Sequence, residues 1–319
     1  MKGSKGMGEA KPLWLSLIRY ANKKTRNSRV LRRTAIWGYS SIVRANVFLP
    51  PPRVLLTGPP KSGTHLLSDC LSLMPKMMFS GRHFALPDYF TDAARTSDYW
   101  SHRVSTPPLD IARLKKYLER CPQGMFVTAH ARFHPAFSRL VEELRFKHIL
   151  LLRDPRDVAV SHAFYMLQDT LHPHHGYYTR TLKSDEERLM ASIRGFGRKE
   201  GAENPLRPIG ESFGAYLPWL KDPSTLVVRF EDLIGAQAGG DDEKQLGEIE
   251  RIGDFVERPL NREQARQVAR KMYGKGSLTF RKGRVGDWQN HFTAEHKSAF
   301  KEVAGDLLTK LGYESDTNW

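Results

Sequence analysis

The chain has few cysteines and no long apolar run, and each absence excludes a class of protein. Only Cys70 and Cys121 occur among 319 residues, and neither has the spacing of a metal site or of a disulfide framework. No apolar run approaches the ~20 residues that cross a bilayer, and the N-terminus lacks the apolar region of a signal peptide. We therefore expect a cytoplasmic protein without a membrane-spanning segment.

The chain is strongly basic. Lys and Arg number 50 against 35 Asp and Glu, which gives a formal net charge of +15. The electrostatic field of such a net charge attracts anionic partners, and a nucleotide, a nucleic acid or an acidic lipid surface would each fit this charge. Hydrophobic residues make up 40% of the sequence, enough for one large α/β core. We expect a basic extension over residues 1–46 and one main domain over residues 47–319.

The N-terminal extension combines basic and apolar side chains. Its basic residues include Lys23, Lys24, Arg26, Arg29, Arg32 and Arg33, and its apolar residues include Trp14, Leu15, Ile18, Trp37, Ile42 and Val43. This pattern suits an amphipathic segment that lies on an anionic membrane surface as a peripheral contact. It suits equally well a helix that packs its apolar side on the main domain. Both interpretations stay open.

Short β-rich runs alternate with helical patterns in the main domain. The predicted strands are Arg53–Thr57, Met125–His130, His148–Arg153 and Thr225–Phe230. The predicted helices are Thr64–Leu73, Arg156–Leu167, Lys244–Val256, Arg262–Tyr273 and Ala294–Leu311. Near-continuous apolar strands are typical of a parallel sheet that is covered on both faces. The sequence therefore predicts a three-layer, P-loop-like α/β fold with a mostly parallel central sheet. The segment His172–Ile209 has weak periodicity and is interpreted as mobile or substrate-covering.

The first predicted strand runs directly into Gly58-Pro59-Pro60-Lys61-Ser62-Gly63-Thr64-His65 and then into a helical pattern. A strand, a glycine-bearing loop and a helix N-terminus direct backbone N–H groups at a phosphate. In nucleoside-triphosphate loops a lysine follows the second glycine. Thr64 occupies that position here, and the lysine comes earlier, at Lys61. An ATP or GTP hydrolase is thereby disfavoured, although an anionic ligand is expected; a tight turn with an incidental lysine is the alternative.

Three segments, taken together and in this order, resemble the sulfotransferases that use 3′-phosphoadenosine-5′-phosphosulfate, in particular the cytosolic type. Pro60–Thr64 resembles the loop of that family that binds the 5′-phosphosulfate, and Arg153–Ser161 resembles its 3′-phosphate motif. Phe280–Trp288 resembles its C-terminal Arg-Lys-Gly, Gly-Asp-Trp motif. The resemblance covers the chain from about Arg53 to Thr293.

The resemblance implies a transferase with two anion sites for one donor nucleotide, which is charged at both ends. The residues implied at the 5′ end are Lys61, Ser62, Gly63, Thr64 and His65, and those implied at the 3′-phosphate are Arg153, Ser161, Arg281, Lys282 and Gly283, with Phe230 beside the nucleotide. Lys61 is also implied as the cation that stabilises the leaving phosphate during in-line transfer, and no metal is expected. For Arg153 alone, an ion pair with a carboxylate is the alternative.

The segment Val127–His130 ends a predicted strand where ligands bind in α/β folds, and it resembles the strand-borne catalytic histidine segment of the same family. A histidine with a pKa near neutrality can accept the proton of an acceptor hydroxyl. His130 is therefore the predicted base, with His134 and His83 in reserve and a histidine satisfied within the core as the alternative.

Three histidines further along the chain could suggest a metal-binding site. His172, His174 and His175 lie close together in sequence, but no carboxylate or cysteine completes a ligand set. A solvated loop is favoured over a metal site.

Three positions depart from the family pattern. Thr128 stands where a lysine usually precedes the catalytic histidine by two residues, and Leu66 stands where an aromatic ring stacks on adenine. Phe230 replaces a tyrosine that approaches the nucleotide. These changes leave both expected phosphate sites in place, while the adenine contact is undefined.

The acceptor is not identified by the sequence. Aromatic residues in His83–Tyr99, His130–Phe137 and His172–Tyr216 would suit a lipid, a phenol or a sugar as a small-molecule acceptor. Two other functions compete with sulfuryl transfer: a P-loop kinase, which would need Mg²⁺, and a non-catalytic basic binder of membranes or nucleic acid. We expect no nucleic-acid partner, and the sequence leaves the oligomeric state open.

Overall fold

A computed structural model of the chain describes residues 52–91, 107–197, 200, 202, 204–272 and 283–319. The predicted basic extension, residues 1–46, lies outside these residues, as do Arg281 and Lys282. Within the described part of the chain, every helix is too short or too polar to cross a membrane.

Five parallel strands form the central sheet. They are β1 (Arg53–Thr57), β2 (Met78–Ala85), β3 (Met125–His130), β4 (Phe146–Leu152) and β5 (Thr225–Arg229), in the order β2-β3-β1-β4-β5. In the register, Leu56 of β1 pairs with Thr128 of β3 on one side and with Ile149 of β4 on the other. This arrangement confirms the predicted α/β fold with its parallel sheet.

Helices cover both faces of the sheet. They are α1 (Thr64–Leu73), α2 (Ile111–Glu119), α3 (Pro135–Glu143), α4 (Pro155–Gln168), α5 (Asp185–Arg194), α6 (Ile209–Gly214), α7 (Phe230–Leu233), α8 (Asp242–Phe255), α9 (Arg262–Met272), α10 (Ala294–Ala304) and α11 (Leu307–Leu311). Alternate residues of each strand point to opposite faces. Leu55 therefore packs in one apolar core, with helices α2, α3 and α10, whereas Val54 and Leu56 pack in the other, with α1, α8 and α9.

Several elements differ from the predicted ones. The helix predicted over Ala294–Leu311 is interrupted at Gly305, which adopts φ 55°, a conformation that favours glycine. The segment His172–Ile209, in which no helix was predicted, contains helix α5, which begins at a capping box of Ser184 and Glu187. Strand β2 was not predicted, because it is an edge strand that is only partly buried and carries polar residues.

The strand order places three chain segments side by side. Strand β1 lies between β3 and β4, and all strands are parallel, so their carboxyl ends share one edge of the sheet. The loop after β1, the end of β3 at His130 and the start of α4 after Arg153 therefore meet there. Ligands in open α/β sheets bind at this edge, where the strand order reverses direction.

Candidate active site

The loop between β1 and α1 forms a tight turn. The backbone N–H of Ser62 donates to the Pro59 carbonyl at 3.2 Å, and Lys61 has φ 70°. Proline followed by a residue with positive φ is typical of a type II turn, in which glycine is normally preferred at the second of these positions. A lysine there costs about 1–2 kcal/mol of backbone strain. Strain of this kind is often found at functional sites.

Two glycines of the loop allow close approaches that a side chain would prevent. A Cβ at Gly58 would lie 2.6 Å from the Leu151 carbonyl oxygen of β4. A Cβ at Gly63 would lie 2.5 Å from the Phe230 ring, and Gly63 also has φ 97°. Gly63 is the residue that precedes α1, so the unpaired N–H groups of the helix start begin beside Phe230.

Lys61 is partly buried and lies near both an arginine and a carboxylate. Its Nζ is 3.5 Å from the centroid of the Tyr165 ring, a cation–π contact, and the Tyr165 hydroxyl donates to Asp169 at 2.6 Å. Burial, and then the charge of Arg153, lower the pKa of Lys61 to about 7, against a smaller opposing effect of Asp169. Near neutral pH, therefore, Lys61 gains its charge readily when an anion binds beside it.

One ring nitrogen of His130 is engaged by the backbone of the phosphate loop. Its Nδ1 lies 2.9 Å from the Gly58 carbonyl, which can only accept, so Nδ1 carries the proton and Nε2 holds the lone pair. The Tyr216 hydroxyl donates to the same carbonyl at 3.3 Å. Burial lowers the pKa of His130, and nearby Lys61 lowers it further. The ring is therefore neutral at pH 7 and able to accept a proton at Nε2.

Arg153 is held at the end of β4 by contacts from three sides. It donates to the Arg284 carbonyl at 2.9 Å, lies 3.7 Å from Asp157, and stacks at 4.3 Å on the Phe230 ring. Asp157 accepts from the backbone N–H groups of Gly286 and Trp288, both at 2.9 Å. The first turn of α4 is thereby attached to the segment that follows residue 283.

One cavity of about 480 Å³ joins these groups. Its wall includes the predicted site residues Lys61, Gly63, Thr64, His65, His130, Arg153, Ser161, Phe230 and Gly283. Ser62 does not line the cavity. Arg153 does, and its buried Nε has no hydrogen-bond partner among the described residues. Buried donors are normally satisfied, so a ligand with acceptor oxygens fits this site.

The two reserve histidines have other surroundings. His134 caps α3 by accepting from the Ala136 N–H at 3.2 Å through Nδ1, and its Nε2 lies 3.1 Å from the Pro107 carbonyl. Both of its nitrogens are thus engaged in local structure. His83 is exposed, contacts the His130 ring edge-on at 5.0 Å between centroids, and lies 3.0 Å from Thr128 Oγ1 through Nδ1.

Sequence reasoning missed several residues that line or support the cavity. His162, Tyr165 and Asp157 were not singled out, although they lie on α4 with Ser161 at helical spacing, which was an available signal. His172 and His174 lie in a loop, as predicted, but they are half-buried and line the cavity, so they are less solvated than the sequence suggested. In the described part of the chain, no group of His, Cys, Asp or Glu is arranged to hold a metal ion.

Comparison with known proteins agrees with the motifs. The model of the family described as "Sulfotransferase domain" matches residues 51–312. The chain belongs to this sulfotransferase family. It is 26% identical to sulfotransferase 6B1 of Danio rerio over 183 residues, which are 52% of this chain and 53% of that protein. It is 25% identical to cytosolic sulfotransferase 4 of Arabidopsis thaliana over 199 residues, 58% and 64% of the two chains. The chain thus matches about half to two thirds of these relatives.

Among solved structures, the chain is similar to the mouse sulfotransferase SULT7A1 complexed with PAP. The TM-score is 0.54 at 18% sequence identity, over 84% of this chain and 88% of the mouse chain. This similarity shows that the two sulfotransferases share a fold.

Proposed function

We propose that this protein transfers a sulfuryl group from 3′-phosphoadenosine-5′-phosphosulfate to a hydroxyl of an acceptor. The observation that carries the proposal is the single cavity whose wall includes Lys61, His130, Arg153 and Ser161. Family membership supports it, and so does the PAP bound to the mouse relative. The donor supplies an activated sulfuryl group whose sulfur–oxygen bond breaks as the bond to the acceptor oxygen forms.

In the proposed reaction, each group of residues has a role that follows from its place in the cavity. Backbone N–H groups of the loop and of the α1 N-terminus bind the 5′ end, and Lys61 balances the charge that develops on the leaving phosphate. Arg153 and Ser161 bind the 3′-phosphate, together with Gly283 and, by sequence, Arg281 and Lys282. His130 accepts the acceptor's proton at Nε2, because Nδ1 is committed to the Gly58 carbonyl.

The first test measures nucleotide binding. 3′,5′-Adenosine bisphosphate should raise the melting temperature of the protein, whereas ATP with Mg²⁺ should raise it much less. A larger shift with ATP and Mg²⁺ would favour a kinase and contradict the proposal.

The second test measures turnover with radiolabelled donor and a panel of hydroxyl acceptors. We expect His130→Ala to lower kcat by about 10²- to 10⁴-fold while leaving the affinity for 3′,5′-adenosine bisphosphate nearly unchanged. We expect Lys61→Ala to lower kcat by about 10²- to 10³-fold. His134→Asn, which replaces a helix cap outside the cavity wall, is the matched control. Full activity in either site variant would remove that residue from its assigned role.

The domain organisation belongs to the same proposal. Residues 47–319 form the catalytic domain, and the basic residues 1–46 attach the protein to an anionic membrane surface. Binding to phosphatidylserine vesicles that is lost at high salt and on removal of residues 1–46 would support this attachment. Equal binding by the shortened chain would contradict it.

A further inference from the structure

Three histidines that the proposed reaction does not use line the same cavity. His162 belongs to α4, and His172 and His174 follow that helix. The ring centroids of His172 and His174 are 4.9 Å apart, and those of His162 are 6.5 Å and 6.1 Å from them. Lys61 acts electrostatically on both His162 and His172, so the cluster lies near the predicted reaction centre.

Hydrogen bonds fix the tautomers of two rings. His172 Nδ1 accepts from the backbone N–H of His174 at 3.1 Å, so Nε2 of His172 carries the ring proton. His174 donates to the Pro205 carbonyl, while its buried Nδ1 has no hydrogen-bond partner among the described residues. The donating atom of His174 is therefore Nε2, and Nδ1 is a buried acceptor. A ligand that donates to it removes the cost of leaving it unpaired.

The tautomer of the third ring, that of His162, follows from the number of protons available to its hydrogen bonds. Tyr178 Oη, Ser192 Oγ and His162 Nδ1 contact one another at 2.8, 3.0 and 3.3 Å. If Tyr178 donates to Ser192, and Ser192 donates to His162, each hydroxyl proton has an acceptor. A proton on Nδ1 would leave one hydroxyl of this buried triangle without an acceptor inside it. His162 Nδ1 is therefore the acceptor, and Nε2 carries the ring proton.

The cluster is uncharged at neutral pH. Burial lowers the pKa of His162 well below its usual range, lowers that of His172, and lowers that of His174 to about 4. The cluster thus has the Nε2–H donors of His162 and His172 and the Nδ1 lone pair of His174, while the N–H of His174 is engaged with Pro205. A carboxylate cannot donate to that lone pair, and an ammonium group cannot accept from the N–H groups and is repelled by Lys61. A hydroxyl both donates and accepts.

We propose that His162, His172 and His174 form a subsite for a second hydroxyl of the acceptor, so that the acceptor is a diol or a polyol. The inference rests on the proposed function, because the first hydroxyl is the one that meets His130. Apolar residues on the same wall, among them Met166, Ile209 and Phe213, provide a surface for the carbon skeleton of such a molecule.

The test compares matched ligands on the protein saturated with 3′,5′-adenosine bisphosphate. The probes are cyclohexanol and the 1,2-, 1,3- and 1,4-cyclohexanediols, whose dissociation constants are measured by calorimetry. We expect at least one diol to bind about tenfold more tightly than cyclohexanol. His174→Leu should remove this preference without changing the affinity for cyclohexanol. His174→Asn, whose amide oxygen can accept near the Nδ1 position, should restore part of it.

His175 offers a matched control. Its Nδ1 lies 2.8 Å from the Met166 carbonyl, and it is not part of the cavity wall, so His175→Leu should keep the diol preference. Equal affinities for cyclohexanol and all diols, or a preference that persists in His174→Leu, would refute the subsite while leaving the proposed function intact. Failure of the wild-type protein to bind 3′,5′-adenosine bisphosphate would refute the proposed function, and the subsite with it.

Discussion

Binding of the donor nucleotide should be coupled to the uptake of a proton by Lys61. In the free protein the pKa of Lys61 is about 7, because the side chain is buried and lies near Arg153. An anion within ~4–6 Å favours the charged form and raises the pKa of a cation by about 1–3 units. At pH 8 the free lysine is about one-tenth protonated, and with its pKa raised to about 8–10 in the complex it is about half to fully protonated. Binding should therefore take up about 0.4–0.9 proton.

Calorimetry measures this uptake directly. The enthalpy of binding 3′,5′-adenosine bisphosphate at pH 8 is recorded in buffers with different ionisation enthalpies. The slope of the binding enthalpy against the buffer's ionisation enthalpy gives the number of protons that the complex takes up. At this pH the phosphates are fully ionised, since their second pKa is near 6, and His130 is neutral in the free protein. Above pH 7 the affinity should fall by up to about tenfold per pH unit, until pH exceeds the pKa of Lys61 in the complex.

Two variants isolate the contribution of Lys61. Lys61→Met has no titrating group, and Lys61→Arg stays charged throughout this range. Neither variant can show the proton uptake of Lys61, so the slope of each should be lower than the wild-type slope by about 0.4–0.9 proton. Lys61→Arg should also lose most of the pH dependence of affinity. A wild-type slope near zero at pH 8, or the same slope in all three proteins, would show that Lys61 takes up no proton on binding and would refute the coupling.

Other predictions concern the supports of the site. Asp157→Asn keeps one acceptor for the two N–H groups of the Gly286–Trp288 segment, and losing the second should lower the free energy of unfolding by about 1–3 kcal/mol, measured by urea denaturation; an unchanged stability would contradict this. Gly63→Ala should lower the melting temperature, because its Cβ meets the Phe230 ring and its φ is positive. In the double variant Gly63→Ala, Phe230→Leu, the loss of melting temperature caused by the clash with the ring should be recovered, whereas the loss caused by the positive φ should remain. The value of kcat/KM for the donor should decline as pH rises above about 7, because Lys61 loses its proton; a flat profile to pH 9 would contradict this.

The phosphate loop could be predicted because its information is local. Strand, glycines, lysine and helix start are contiguous between Arg53 and Leu73, and the structure has these two elements with the predicted bounds. The proposed 3′-phosphate site after β4 was reached only through the resemblance to a family. Strand β2 and helix α5 were missed because partial burial or a short, charged sequence gives weak periodicity.

The histidine cluster could not be predicted from its sequence positions. His162 and His174 are 12 positions apart, and only the turn after α4 brings their rings within 6.1 Å. Their burial also depends on Tyr178 and Phe196, which come from elements beyond that turn. A single sequence records which residues are present, but not which of them packing will exclude from water. The same histidines therefore looked like a solvated loop.

The neutral state of these histidines matters for Lys61. Burial and Arg153 already lower the pKa of Lys61 to about 7, so further positive charge on His162 or His172 would lower it more. Because burial keeps both rings neutral, the cavity can hold several imidazoles beside its lysine without expelling the lysine's proton. The same burial keeps His130 unprotonated beside that lysine. Burial thus keeps the proposed base His130 and the histidines of the wall neutral, and it leaves Lys61 with a pKa at which a bound anion can bring it to full charge.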